Sequence, residues 1–485
     1  MMRSRIAILL GLAAIPPAAL AADVDGLLRI HPDNPRYLTN NSGEAILLVG
    51  PHTWHVFQDY DDGKDSTDFD YQAWLDELKQ DGFTFFRGWS WSDGYYSPLP
   101  FEEVIVQGRR VYDLTRWDER YFNRLRRRLK AAADHGLYTS VLLFQQWSVD
   151  DGEGRRRPNP WAVHPLNRSN NIQRLNKRNQ SGARLAPIHA EYLRRMVDAL
   201  YELDNFVWEV GNELDGSAGS WVRLVVDRLR ELEDEKIASD PADRNRRHLI
   251  WASCVGGREM PGPAYGADLM SPCRTQRYGV ETGSDCFEVS LPAKPPAADG
   301  SKVVVADSDH LSPLASDPDW AWKSFFRGLH PIALTIPDGR DSLPWWRGGC
   351  DLDRGRAPTA RLQRTLATIA RVARKIDVAE LVPQSKTRPG HPDTFASSGY
   401  ALFSAKKPGS SKKPDGKRYL VYQPESSVGI RPVTVCGLRQ SRSYKVLWRR
   451  LDNGDVFWRA RRNSVRGCEV FNGSARGGVL ELTLK

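Results

Sequence analysis

The chain runs to 485 residues, with 69 Lys and Arg against 60 Asp and Glu for a formal charge of +9. Such a length exceeds one typical domain and suits a large barrel followed by a small module. Beyond the N-terminus no stretch approaches the ~18 consecutive apolar residues of a membrane span, so a soluble mature protein without stable membrane insertion is expected. The basic clusters Arg124 to Arg128 and Arg155 to Arg157 read as solvated helix and loop faces, not as a nucleic-acid surface. The positive balance leans instead towards an anionic polymer.

Residues 1–21 read as a secretory signal peptide. Arg3 and Arg5 form the basic segment, Ile6 to Leu20 the apolar one, and Ala19-Leu20-Ala21 the cleavage site. Pro16-Pro17 interrupts the apolar stretch, which is too short to span a bilayer comfortably. A secreted or periplasmic location follows, and with it an oxidising compartment for Cys254, Cys273, Cys286, Cys350, Cys436 and Cys468. No CxxC and no Cys/His cluster with zinc spacing appears, so no metal is expected. Cys436 with Cys468 is the preferred disulfide, and Cys273 with Cys286 is a second, local pairing.

From Leu27 to Leu48 the pattern suggests a small leading hairpin, with Asn40-Asn41-Ser42-Gly43 as a turn. Strand-like runs then alternate with amphipathic stretches. The strands are expected at Ile46 to Gly50, Thr84 to Trp89, Tyr138 to Phe144 and Phe206 to Val210. They continue at His248 to Ser253, Asp268 to Ser271, Lys302 to Ala306 and Pro331 to Ile336. Helical periodicity covers Tyr71 to Asp81, Glu119 to His135, Ile188 to Leu203, Trp221 to Glu235, Trp320 to Gly328 and Ala357 to Ala379. This alternation predicts an α/β fold, a (β/α)8 barrel over 22–382. An open doubly wound sheet lacks support, since no GxGxxG follows the first strand. Past a charged loop at Ala405 to Lys417 the pattern changes to short strands with turn residues. They predict a C-terminal antiparallel β-sandwich over 383–485, in which Trp448 and Trp458 are the exposed aromatic candidates.

The predicted strand ends concentrate polar and aromatic residues. The first is followed by His52, Trp54 and His55; the second carries Arg87, Trp89 and Trp91; the third ends in Gln145 and Trp147. The fourth ends in Asn212 and Glu213, the seventh in Asp307, Asp309 and His310, and the eighth in Asp338. Core strands have no structural need for such termini, whereas a sugar site does. Trp faces stack on pyranose rings, while amides, carboxylates and Arg bind hydroxyls. Glycoside hydrolysis needs two carboxyl groups about the scissile bond. Glu213 supplies one. Asp307 and Asp309 share a strand face and are the candidates for the other, while Ser308 and His310 turn away. Arg87 fits two roles, holding a carboxylate ionised or forming an internal ion pair.

Asn212-Glu213 and Phe85-Phe86-Arg87-x-Trp89 resemble the clan A glycoside hydrolases, (β/α)8 enzymes whose acid/base is the Glu of an Asn-Glu pair ending strand four. The whole layout is similar to secreted cellulase-like barrel proteins with a small C-terminal β-domain labelled collagen-binding. The resemblance implies Glu213 as general acid/base, Asn212 on a substrate hydroxyl, and Arg87 at the clan's arginine position. One departure stands out: the clan has a Glu nucleophile ending strand seven, where this chain has Asp307-Ser308-Asp309-His310. Asp is a methylene shorter, so retaining (roughly 5–5.5 Å) and inverting (about 6.5–9.5 Å) carboxyl separations both stay open. Glu281, Glu288 and Asp338 are other possible sources of the nucleophile.

The expected function is a secreted, monomeric glycosidase acting on a poly- or oligosaccharide without a cofactor, with Glu213 as acid/base and Asp309 or Asp307 as nucleophile or base. A sugar-binding protein on a degenerate barrel and a polysaccharide lyase are the rivals. The absence of a G-x-S-x-G elbow counts against the common esterase fold.

Overall fold

The structure is a computed structural model and describes residues 24–61, 69–149, 159–177, 184–212, 214, 218–253, 265–271, 295–308, 318–334, 356–386, 391, 393–410, 413–425, 431–474 and 476–485. The expected signal peptide, Glu213, Asp309, His310, Asp338, Glu281, Glu288 and the Cys273–Cys286 pair lie outside them.

Eight parallel strands form the barrel: β1 (Gly50–His52), β2 (Phe85–Phe86), β3 (Tyr138–Leu142), β4 (Phe206–Glu209), β5 (Ile250–Ala252), β6 (Leu269–Met270), β7 (Val303–Asp307) and β8 (His330–Leu334). From β2 to β8 each strand pairs with the next, and β8 returns to β1 with Ile332 opposite Gly50. A single bridge, Thr53 to Gly88, spans β1 and β2, so the ring is nearly closed. Gly50 permits this approach, because a Cβ there would lie 1.9 Å from the Phe85 carbonyl oxygen. The first strand begins four residues later than its sequence pattern suggested. Ile46 is bridged to Leu38 of the leading hairpin, and Leu48 N–H donates to the His330 side chain (Nδ1, 2.8 Å) instead of a backbone carbonyl, so ladder pairing with β8 starts only at Gly50.

Helices α1 (Tyr71–Asp81), α2 (Glu119–Asp134), α3 (Pro187–Leu200), α4 (Gly219–Ser239), α5 (Pro318–Phe325) and α6 (Arg356–Arg374) surround the strands. Their starts follow local chemistry: Asp70 caps α1 by accepting from Ala73 N at 3.0 Å, and Asp118 caps α2. Their apolar faces (Leu75, Leu125, Leu193, Val222) meet outward strand residues such as Phe86, Trp208 and Val304 in one shell. Truncating any of these leucines to Ala would cost about 2–5 kcal/mol. No described helix is long and apolar enough to cross a membrane.

The barrel interior is layered by the two-residue strand period. Leu48, Phe85, Tyr138, Val207, Trp251 and Val305 form an apolar floor with Leu28 and Leu38 of the hairpin beneath it. Two residues further along the same strands the same face carries Gly50, Arg87, Ser140, Glu209, Ser253 and Asp307. The interior therefore turns from hydrocarbon to charge towards the carboxyl ends of the strands.

A long hairpin, Phe101–Val106 paired with Arg109–Trp117, follows β2 and was not anticipated from sequence. Its Gln107-Gly108 turn has positive φ at both residues (51° and 75°), a conformation more often announced by Asn-Gly.

The C-terminal strands are β9 (Leu381–Pro383), β10 (Ala401–Ser404), β11 (Arg418–Gln423), β12 (Pro432–Cys436), β13 (Arg442–Arg449), β14 (Val456–Ser464), β15 (Cys468–Asn472) and β16 (Gly478–Leu484). Six form an antiparallel sheet in the order β9-β10-β11-β16-β13-β14, and β12 pairs with β15. One face of the sheet (Tyr419, Val421, Val446, Leu480) packs on Val433, Val435 and Phe471 of that pair. The other joins the barrel shell through Leu402, Leu420, Tyr422 and Val479. Tyr422 stacks on Trp322 and Phe326 with ring centroids 6.0 and 5.7 Å apart. The expected disulfide Cys436–Cys468 links β12 and β15. The pairing of Trp448 with Trp458 as exposed aromatics needs correction. Trp448 is 2% exposed, inside the sandwich core, because β13 is an interior strand, whereas Trp458 on the edge strand is 47% exposed.

Candidate active site

Arg87 organises the carboxyl end of the barrel. Phe85 points into the floor, so Arg87, two residues on, enters the same interior one layer higher and is fully buried. Burying a guanidinium demands partners. Its Nε and Nη2 donate to Glu209 Oε1 at 2.9 and 2.5 Å, and Nη1 donates to Asp307 Oδ2 at 2.9 Å. Nη2 also reaches Asn212 Oδ1 at 2.7 Å and Ser253 Oγ at 3.3 Å. The cation lies over Trp89, 4.4 Å from its ring centre, and 5.4 Å from that of Trp251.

The second carboxyl of this frame, Glu209, was not singled out from sequence. Hydroxyls flank it: Ser140 Oγ lies 2.8 Å from Oε2 and Ser253 Oγ 2.6 Å from Oε1. A signal was there to read. A Glu inside the apolar run Phe206 to Val210 requires a buried cation, and Arg87 after Phe85-Phe86 occupies the matching place in another strand.

Trp89, His52 and Asp307 form a chain with a defined direction. The indole N–H can only donate, and it does so to His52 Nδ1 at 2.8 Å. His52 Nε2 therefore carries the hydrogen offered to Asp307 Oδ1, 2.9 Å away. Asp307 thus has one oxygen on His52 and the other on Arg87, with no solvent exposure. Ser308 turns to β8, where its Oγ accepts from Leu334 N at 2.9 Å. Asn212 is held by both ends, since Nδ2 donates to Gln145 Oε1 at 2.9 Å. Of the residues proposed from sequence, Arg87, Asp307, His52, Trp89, Asn212 and Gln145 come together here.

An aromatic layer adjoins the frame. Trp89 and Trp91 stack at 5.4 Å, Trp54 meets both edge-on, and Trp91 contacts Trp147 at 5.6 Å. Trp54, Trp89 and Trp91 are buried and Trp147 is half-buried. His55 lies apart, among Tyr60, Phe69 and Tyr96, where burial lowers its pKa to about 4. Asp93, also past β2, is a buried carboxyl that burial pushes up to about 7, against donors at Ser148 Oγ (2.6 Å) and Tyr95 N (3.3 Å). Among the described residues no His/Cys/Asp/Glu cluster could hold a metal ion.

This geometry places paired carboxyl groups and an arginine where (β/α)8 enzymes build their sites, and solved structures share the fold that carries it. A protein described as a glycoside hydrolase is similar with a TM-score of 0.54 at 14% identity, over 94% of this chain and 97% of its own. A family 5 glycoside hydrolase from Bacteroides vulgatus ATCC 8482 has a TM-score of 0.57 at 15% identity, over 94% and 93%. The chain shares the fold of these two structures. No family model matches it, and no curated protein does. The shared fold extends through the C-terminal sheet, since the coverage leaves room for neither half alone. At such low identity the fold is what is shared, and the chemistry rests on this chain's own residues.

Proposed function

We propose that this chain is an exported glycoside hydrolase cleaving O-glycosidic bonds of a poly- or oligosaccharide. The observation that carries the reading is the buried frame of Arg87, Glu209, Asp307 and His52 at the carboxyl ends of β1, β2, β4 and β7. It brings two carboxyl groups to one guanidinium, which favours positive charge developing nearby, as in an oxocarbenium-like transition state. Glu213, immediately after Asn212, is the general acid/base, and Asn212, fixed by Arg87 and Gln145, presents its amide to a sugar hydroxyl. Asp307 has both oxygens engaged and is sealed from solvent, so it is assigned to the frame. Asp309, two residues on, is assigned as nucleophile or water-activating base. Trp147 offers a ring to the sugar, and His310 and Asp338 are assigned as further substrate-binding residues. The signal-like sequence of residues 1–21 and the Cys436–Cys468 bond support export.

The test is product release from a panel of plant, microbial and host glycans. Glu213→Gln is expected to lower kcat by a factor of about 10²–10⁴ while glycan binding survives. Undiminished turnover in that variant, or no reducing ends from the native protein on any glycan, would overturn the proposal. Asp309→Asn should behave like Glu213→Gln, and Asp307→Asn should also lower the unfolding temperature. If only Asp307→Asn abolishes turnover, the two aspartates exchange roles.

A further inference from the structure

The C-terminal sheet presents charge in an order that the barrel's chemistry does not use. Residues directly opposite one another in an antiparallel sheet share a face. The pairings Arg418 to Thr483, Thr483 to Lys445 and Lys445 to Arg461 therefore set one row across β11, β16, β13 and β14. Neighbouring strands lie about 4.8 Å apart, so the row is roughly 14 Å long. Tyr419 and Tyr444, adjacent in sequence to its members, point into the sandwich core, which turns Arg418 and Lys445 to the opposite face, the one whose Leu420 and Tyr422 join the barrel shell; there Arg418 is half-buried and Lys445 stays exposed. Along the edge strand β14 the same face carries Arg459 and Arg461 at two-residue spacing, and Phe457 follows at a bulge where Val456 stands opposite Arg449. Lys445, Arg459 and Arg461 are exposed, and Phe457 is 41% exposed with the Arg450 guanidinium 5.6 Å from its ring centre.

Two features separate this face from ordinary surface charge. Among the described residues none of Arg418, Lys445, Arg459 and Arg461 forms an ion pair, although arginines elsewhere in the chain are widely paired with acids. In addition, an exposed aromatic ring continues the line of guanidiniums. That combination offers cations to a repeating anion and a ring to a sugar. The row also begins one residue from Lys417, which lines a cleft of about 1560 Å³ between α6, the leading hairpin and the loop before β11.

We propose that this face is a docking surface for an anionic polysaccharide, a chain whose sugars bear carboxylates at regular intervals. The cationic row and the edge strand take the carboxylates, and Phe457 takes a sugar face. A polyuronate matches the surface in both respects: it carries the complementary charge and stackable rings, whereas a neutral glycan leaves four cations unanswered. The face lies outside the barrel interior, so docking is separate from hydrolysis and does not depend on the catalytic reading.

The test is affinity electrophoresis and calorimetry of the full chain with polygalacturonate, and with neutral glucomannan and double-stranded DNA alongside. Polygalacturonate should bind, weakening steeply with salt, while glucomannan binds at least about tenfold more weakly. Lys445→Gln/Arg459→Gln/Arg461→Gln should lose about tenfold or more of that affinity, Phe457→Ala should lose part of it, and Trp458→Ala, on the other face, should retain it. Circular dichroism of each variant controls for folding. Native affinity in the triple variant, no binding of polygalacturonate, or DNA binding at least as tight as polygalacturonate would each overturn the proposal.

Discussion

Arginine does opposite things at the two ends of this molecule. In the barrel Arg87 has no solvent exposure and two carboxyl groups within hydrogen-bonding distance. On the C-terminal sheet Arg459 and Arg461 stand in water without an acid among the described residues. The difference is one of desolvation. A cation removed from water must be compensated fully and locally, so it fixes its neighbours and becomes part of the frame. A hydrated cation needs nothing, so it remains available to a partner and hardly affects folding. The fold thus spends charge as architecture in one region and keeps it in reserve in the other.

The comparison breaks most sharply at Arg87. Arg87→Met leaves Glu209 and Asp307 buried without their cation, and a loss of about 3–5 kcal/mol is expected in urea unfolding. Arg87→Lys should recover only a fraction, because one ammonium cannot reproduce the fork that reaches Glu209, Asp307 and Asn212 together. A loss below about 1 kcal/mol for Arg87→Met would place the residue with the surface arginines and remove the argument for a frame.

Much of the architecture was legible because periodicity reports burial. All eight barrel strands fall within or beside runs that the apolar pattern marked, and the disulfide followed from two cysteines sharing one module. The long hairpin has no clear sequence mark because Gln107-Gly108 is a weak turn signal, and the first strand starts later than its apolar run because Ile46 pairs with Leu38. Within the site, Arg87, His52, Asn212 and Asp307 could be picked out as polar residues at strand ends. Glu209 was hidden by its apolar neighbours, and Trp448 was misplaced because sequence alone does not distinguish an interior strand from an edge. Pairing across strands distant in sequence decides both, and no local pattern records it.

Asp93 asks whether burial or pairing governs the cost of charge. It is buried like Asp307 but is met by hydroxyl and amide donors instead of a guanidinium. Its folded pKa is raised to about 7. The protonated form therefore stabilises the fold below the unfolded value, and that stability is lost as pH rises through 7. Asp93→Asn removes the term, so its stability relative to the native protein should grow between pH 5 and 8, reaching roughly 2–4 kcal/mol. A difference flat with pH would show that Asp93 does not titrate in this way. Buried histidines act with the opposite sign. His55, His189 and His330 are lowered by burial to about 4, and His164 to about 3. Their contribution is complete above about 6.5 and is lost as pH falls through their folded values. Thermal unfolding of both proteins should accordingly drop on acidification from pH 6.5 towards 4.

The smallest effect is expected where the cations are hydrated. Arg459→Gln/Arg461→Gln should change unfolding stability by under about 1 kcal/mol, since neither side chain leaves water or meets an acid among the described residues. The sign should be favourable at low ionic strength, because removing two like charges two residues apart relieves repulsion on the edge strand and with Lys445 opposite Arg461. Added salt should erase that gain, as the Debye length shrinks to about 8 Å at physiological ionic strength and about 3 Å at 1 M. Denaturant melts at two salt concentrations separate the cases. A gain that persists at high salt would mean the substitutions act through strand packing, and a loss at low salt would mean these arginines are paired after all, which would bring the two ends of the molecule under one rule.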